Sequence, residues 1–161
     1  MTRLLITLLL FCTMGAKAQT SQTLADFNAR KAVLTHGHLF DIFSRPMTDG
    51  ERDAMRFLYA YMPVNDIADY DGDFFLSQVR ATLNVRTQVG WQVPDEVFRH
   101  FVLPIRVNNE NLDTARLVFQ RELLPRVRGR RLYDAVLEVN HWCHEKANYQ
   151  PSDARTSSPL A

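Results

Sequence analysis

The chain has 161 residues, of which 46% are hydrophobic and 11% aromatic, and its formal net charge is +1. This length and apolar content suit one folded domain with its own core and exclude a low-complexity chain. The near-neutral charge gives no indication of nucleic acid or of an anionic membrane surface as a partner.

Residues 1–18 have the pattern of a secretory signal peptide. Arg3 supplies the positive charge, 4–14 is apolar almost throughout, and Ala16 and Ala18 are the small residues that signal peptidase requires. The apolar run is far shorter than the roughly 20 residues that cross a bilayer. We therefore expect export to the periplasm, the cell surface or the medium, with no membrane attachment after cleavage.

Cleavage of the signal peptide removes Cys12 and leaves a single cysteine, Cys143, so we expect no internal disulfide in the mature chain. A cysteine nucleophile needs a base within hydrogen-bond reach and an electropositive setting. On a helix the neighbouring His144 points about 100° away from Cys143. We therefore predict that Cys143 is a small core residue.

Helical patterns follow along most of the chain. Thr48 and Glu51 form a capping box for the second helix, Pro94 opens a short one, and Pro125 is expected to end the fourth long helix. No segment has a convincing strand pattern. The fold class predicted is all-α, an irregular array of about five to six helices. The expected helices are 20–35, a segment from the capping box to Pro63, 71–89, 95–101, 112–124 and 130–148.

The acidic segment 69–73 resembles part of a calcium-binding loop. Aligning Gly72 with the invariant glycine of an EF-hand places Ile67 and Gln78 where acidic ligands are essential. We therefore expect an acidic turn before the next helix. His141 and His144 have the spacing of metal ligands on one helical face, but too few further ligands accompany them for a zinc site.

An arginine cluster surrounds the turn before the last helix. The interpretation favoured here is a solvated turn in which cations lie near a helix C-terminus, and an anionic-ligand site is the alternative. In the loop before the fourth long helix, Asn111 is the expected N-cap of that helix. The cluster consists of Arg121, Arg126, Arg128, Arg130 and Arg131.

Residues 134–149, together with the tail 151–161, resemble the opening of a transglutaminase-like core, the papain-like cysteine acyltransferase and protease superfamily. In that superfamily a first amphipathic helix ends in an aromatic such as Tyr149, and a later Gly-x-Cys segment carries the nucleophile at a helix N-terminus. The block 101–110 is similar to the helical region before such cores in exported bacterial members.

The resemblance implies that the chain ends before the catalytic cysteine of such a core. Cys143 lies on the first helix and does not match the nucleophile, so no catalytic, cofactor-binding or metal-ligating residue transfers to this sequence and no cofactor is expected. The implied domains are the signal peptide 1–18, a helical N-terminal region 19–128, and the incomplete start of the core, 129–161.

The function expected is therefore that of an inert helical N-terminal fragment of an exported transglutaminase-like protein. The complete family performs cysteine-dependent acyl transfer or amide hydrolysis. Its expected partners are the missing C-terminal core and a protein or peptide substrate, and a fragment is expected to expose the stripe of Val139 and Trp142. The alternative is a stand-alone exported helical module that binds a protein or surface ligand.

Overall fold

The computed structural model describes residues 19–34, 37–106 and 110–146. The predicted signal peptide and the tail after Lys146 lie outside these ranges. Every regular element within them is helical, which confirms the all-α class predicted from the sequence. Within the described part of the chain, no helix has the length and apolar character needed to cross a membrane.

The described residues form seven helices, close to the five or six expected. The helices are α1 (19–33), α2 (Asp49–Tyr61), α3 (Val64–Asp69), α4 (Gly72–Val89), α5 (Asp95–Val97), α6 (Ala115–Val127) and α7 (Leu132–Lys146). A 3₁₀ turn, Asp41–Ser44, precedes α2, and α5 continues into a π-helical turn, Phe98–Val102.

The chain divides into two compact units between Asp73 and Phe74. We call the part up to Asp73 the N-terminal unit and the part from Phe74 the C-terminal unit. The boundary predicted between 128 and 129 falls inside the C-terminal unit, where α6 packs against α7. The assignment of 129–161 to a separate core stays a prediction.

In the N-terminal unit the capping box of α2 is present. The amide of Glu51 donates to Thr48 Oγ1 over 3.2 Å, and the amide of Thr48 donates to Glu51 Oε2 over 2.9 Å. Near the C-terminal end of α2, Tyr59 is almost fully buried between two phenylalanine rings. Its ring centroid lies 5.5 Å from that of Phe40 and 5.1 Å from that of Phe43. Local capping and aromatic packing together fix α2 in this core.

Close packing and an ion pair hold the acidic turn before α4 in place. A Cβ added to Gly72 would lie 2.4 Å from Ile42 Cβ, so only glycine fits this approach of the 3₁₀ turn. Asp73 Oδ2 lies 2.9 Å from Arg45 Nη2. The turn thus brings the start of α4 against the segment before α2.

In the C-terminal unit, two details of α6 differ from the expectation. The helix begins at Ala115, whose amide donates to Asp113 Oδ1 over 2.7 Å, so Asn111 is not the N-cap. It continues through Pro125 to Val127. Pro125 removes one backbone N–H donor but lies in the last turn, and α6 ends two residues after it.

The buried face of α7 packs against α6. Trp142 is 8% exposed, its ring lies edge-on to Phe119 with centroids 5.3 Å apart, and its Nε1 donates to Glu122 Oε2 over 3.2 Å. The expectation that Val139 and Trp142 form an exposed stripe is therefore wrong for Trp142, which α6 covers, whereas Val139 is half-buried. The prediction of Cys143 as a core residue is also wrong: it follows Trp142 by about 100° around the helix and is exposed.

Candidate ligand pocket in the C-terminal unit

The described residues of the C-terminal unit surround an open, mainly apolar pocket of about 480 Å³. Pockets that bind small molecules typically measure about 300–1,000 Å³ and have mostly apolar walls with a few polar groups. The walls come from α4, the segment 91–102 and α6, with one residue from α7. The lining residues are Ala81, Thr82, Val85, Arg86, Val89, Trp91, Val93, Phe98, Phe101, Val102, Arg116, Phe119, Gln120, Leu123, Leu124, Val127 and Val139.

Two helices form the long walls of the pocket. The lining residues of α6 recur every three or four positions from Arg116 to Val127, which places them on one face of that helix. Thr82 of α4 is hydrogen-bonded to Arg116, and seven residues later Val89 packs in one cluster with Val127. The two helices therefore run in the same direction beside the pocket, which has a polar end at Arg116 and an apolar end at Val127.

The apolar end is a small hydrophobic cluster. Trp91 packs against this cluster, and its Nε1 donates to the carbonyl of Arg130 over 3.0 Å. This hydrogen bond satisfies the indole N–H and holds the ring at the pocket wall. The buried members of the cluster are Val89, Leu124, Val127 and Ala135.

The polar end is formed by Arg116, whose guanidinium is largely enclosed. Its Nη1 donates to Thr82 Oγ1 over 2.6 Å and to the carbonyl of Leu103 over 3.3 Å, and its Nη2 donates to the carbonyl of Pro104 over 2.7 Å. All three acceptors are neutral, and no carboxylate among the described residues forms an ion pair with it. Desolvation by burial lowers the pKa of Arg116 below its ordinary value.

Arg86, the other cation of the lining, has a carboxylate partner. Its Nη2 lies 2.6 Å from Asp95 Oδ1 and donates to the carbonyl of Val93 over 3.2 Å. Its guanidinium carbon lies 4.2 Å from the centroid of the Phe98 ring, within the range of a cation–π contact. The charge of Arg86 is therefore balanced by the protein itself, whereas that of Arg116 is not.

The arginine cluster singled out in the sequence lies away from the pocket lining. Arg126 Nη1 is 3.4 Å from Glu138 Oε1 and 3.2 Å from Glu145 Oε2, and Arg131 Nε is 2.9 Å from Asp134 Oδ2. These exposed or half-exposed pairs link the turn to the carboxylates of α7. They fit the solvated turn favoured from the sequence better than an anion site.

The histidines of α7 are not gathered into a metal centre. His141 Nε2 lies 3.1 Å from Glu145 Oε1, and His144 is exposed. In the described ranges, no three side chains of His, Cys, Asp or Glu come together as a group that could hold a metal ion.

Sequence reasoning missed the pocket because its walls come from separate segments. The spacing of Phe119, Gln120 and Leu123 predicts one helical face, but it cannot show that this face lines an open space. Arg116 gave one local signal: a lone cation at the start of a mainly apolar face. Comparison with protein-family models, curated proteins and solved structures finds no match to this chain. The transglutaminase-like resemblance thus stays a prediction.

Proposed function

We propose that this protein is an exported helical binding module whose C-terminal unit holds a small apolar ligand in the pocket between α4 and α6. The observation that carries the proposal is the pocket itself: about 480 Å³ with walls of aliphatic and aromatic side chains. Such a space releases water when an apolar ligand enters, which favours binding.

The lining supports binding and not catalysis. Among the described residues, the lining contains no His, Cys, Asp, Glu, Ser or Lys side chain that could serve as a general acid, a base or a nucleophile at neutral pH. Its one hydroxyl, that of Thr82, is bonded to Arg116 and to the carbonyl of Gln78. The two arginines act as hydrogen-bond donors. Binding outside the cytoplasm follows from the signal peptide predicted at 1–18.

Calorimetric titration of the purified protein with dodecanol tests this proposal. We expect saturable binding with one site per chain. Gln120→Trp places an indole on the pocket face of α6 and should abolish binding, whereas Arg121→Trp places the same ring on the neighbouring outer face and should not. Absence of binding to the unmodified protein, or equal binding by the two variants, would contradict the proposal.

A second candidate is the N-terminal part of a transglutaminase-like protein, favoured by a second apolar face on α7. On this face Tyr133 is 71% exposed and Val136 is 58% exposed, with Leu132 and Leu137 beside them. A following core would cover this face, as the resemblance implies. Sequencing the gene beyond the last codon tests it: a genuine stop with no Gly-x-Cys segment in any downstream frame would refute it.

A further inference from the structure

We propose that the ligand of the pocket is an aliphatic chain ending in a carboxylate, and that Arg116 binds that carboxylate. This inference rests on the proposed function, because it names the chemical class of the ligand for the same pocket. The charge at one end of the pocket and the apolar walls along the rest of it support this assignment.

The charge of Arg116 has no counter-charge in the described structure. Thr82, Leu103 and Pro104 offer neutral oxygens, which satisfy hydrogen bonds but leave a positive charge in a largely enclosed site. An enclosed charge without a partner destabilises the protein that carries it, and an anion placed beside it removes that cost. An anionic ligand group is therefore the complement that this end of the pocket lacks.

The unused donors of Arg116 suit a carboxylate in geometry as well as in charge. Guanidinium has five N–H groups, and three of those on Arg116 are spent on protein acceptors in the described ranges. The Nε N–H and one Nη2 N–H are left, on adjacent nitrogens of one plane. The edge of a guanidinium formed by Nε and one Nη can bind the two oxygens of a carboxylate together.

The remainder of the pocket suits an apolar chain. The lining face of α6 extends over twelve residues from Arg116 to Val127, roughly 16 Å along the helix axis. Phe119 and Leu123 lie between these ends, and the opposite walls are mainly valine and aromatic side chains. A compact polar metabolite would leave these walls without contacts, whereas an extended aliphatic chain would cover them.

The two arginines of the lining predict which end of the pocket holds the carboxylate. Arg86 is already paired with Asp95, and an anion beside it would meet that carboxylate as well. Among the described lining residues, no carboxylate lies near Arg116. The head group is therefore expected at Thr82 and Arg116, with the chain directed toward Val89 and Val127.

The test compares dodecanoate with dodecanol, two ligands that share the chain and differ in the head group. Calorimetric titration below the micellar range should show that the unmodified protein binds dodecanoate at least about tenfold more tightly, the gain expected for a charge-assisted pair. Arg116→Gln should bring the two affinities together. Arg121→Gln makes the same charge change on the outer face of α6 and should preserve the difference.

The other outcomes of these titrations distinguish failure of the carboxylate assignment from failure of the proposed function. If the unmodified protein binds both ligands with equal affinity, the carboxylate assignment is overturned while the apolar pocket stands. If it binds neither, the proposed function itself fails. If Arg116→Gln does not fold, the comparison of the two ligands on the unmodified protein still decides, and Arg116→Lys, which keeps the charge without the planar fork, should show an intermediate preference for dodecanoate.

Discussion

Arg116 Nη1 donates to Thr82 Oγ1 over 2.6 Å, and this bond joins α6 to α4 at the polar end of the pocket. The same hydroxyl donates to the carbonyl of Gln78 over 2.9 Å. The hydroxyl of Thr82 is therefore both an acceptor and a donor, and these two hydrogen bonds fix its orientation. The position of the guanidinium in the pocket depends on this buried threonine.

Thr82→Val should destabilise the C-terminal unit by about 1–3 kcal/mol, because a buried N–H of Arg116 loses its acceptor. Urea unfolding measures the change. Thr87→Val is the matched control: Thr87 also donates to the carbonyl four residues earlier, over 2.8 Å, but it is exposed and holds no arginine. The control should change stability by at most about 0.5 kcal/mol. Equal losses in the two variants would refute the role assigned to Thr82.

Gly72→Ala should destabilise the protein by about 1–3 kcal/mol, because its Cβ would overlap the side chain of Ile42. Thermal unfolding followed by circular dichroism measures it. Gly50→Ala is the control, since a Cβ on Gly50 in α2 meets nothing within 4 Å, and we expect no loss there. A Gly72→Ala protein as stable as the unmodified one would show that the 3₁₀ turn does not require this close approach.

Glu122 links α6 to α7 and should make their pairing sensitive to acid. The hydrogen bond from Lys146, followed by that from Trp142, lowers the pKa of Glu122 below its ordinary value of 4.5. A carboxylate whose pKa is lowered on folding stabilises the fold above its unfolded pKa and loses this effect as the pH falls through the folded value. Urea midpoints should therefore decline below about pH 4.5.

Glu122→Gln should flatten this acid limb of the stability curve, whereas Glu96→Gln on α5 should leave it as it is. The amide of glutamine retains an acceptor for Trp142 but has no charge for Lys146. An acid limb of unchanged steepness in Glu122→Gln would show that the pairing of these helices does not depend on this carboxylate.

Tyr61 should make the N-terminal unit sensitive to alkali. Its hydroxyl donates to Asp26 Oδ2 over 2.5 Å, and this bond, with burial adding to it, raises the pKa of Tyr61 above 10.0. Folding therefore favours the neutral phenol of Tyr61. The stability that this phenol adds is present below about pH 10, and it is lost as the pH rises through the pKa of Tyr61 in the folded protein. Tyr61→Phe should reduce the loss of stability above pH 10, measured by urea unfolding. An unchanged alkaline loss would contradict this assignment.

Local signals in the sequence predicted much of the fold. The capping box of Thr48 and Glu51 lies within one helical turn, so its residues alone determine it. The burial of Trp142 and the exposure of Cys143 depend on which face of α7 meets α6, and both residues belong to one apolar stripe in sequence. The role of Arg116 depends on three segments of the chain at once, which no single periodic pattern reveals.

Quenching of Trp91 fluorescence by brominated dodecanoate reports directly whether the pocket between α4 and α6 holds an aliphatic ligand. The chain has two tryptophans, and Trp91 lines the pocket whereas Trp142 does not. In Trp142→Phe, where Trp91 emits alone, we expect saturable quenching by one equivalent of ligand, reversed by excess unbrominated dodecanoate. Quenching that rises linearly without saturation, as for a free indole in solution, would contradict a ligand pocket between α4 and α6.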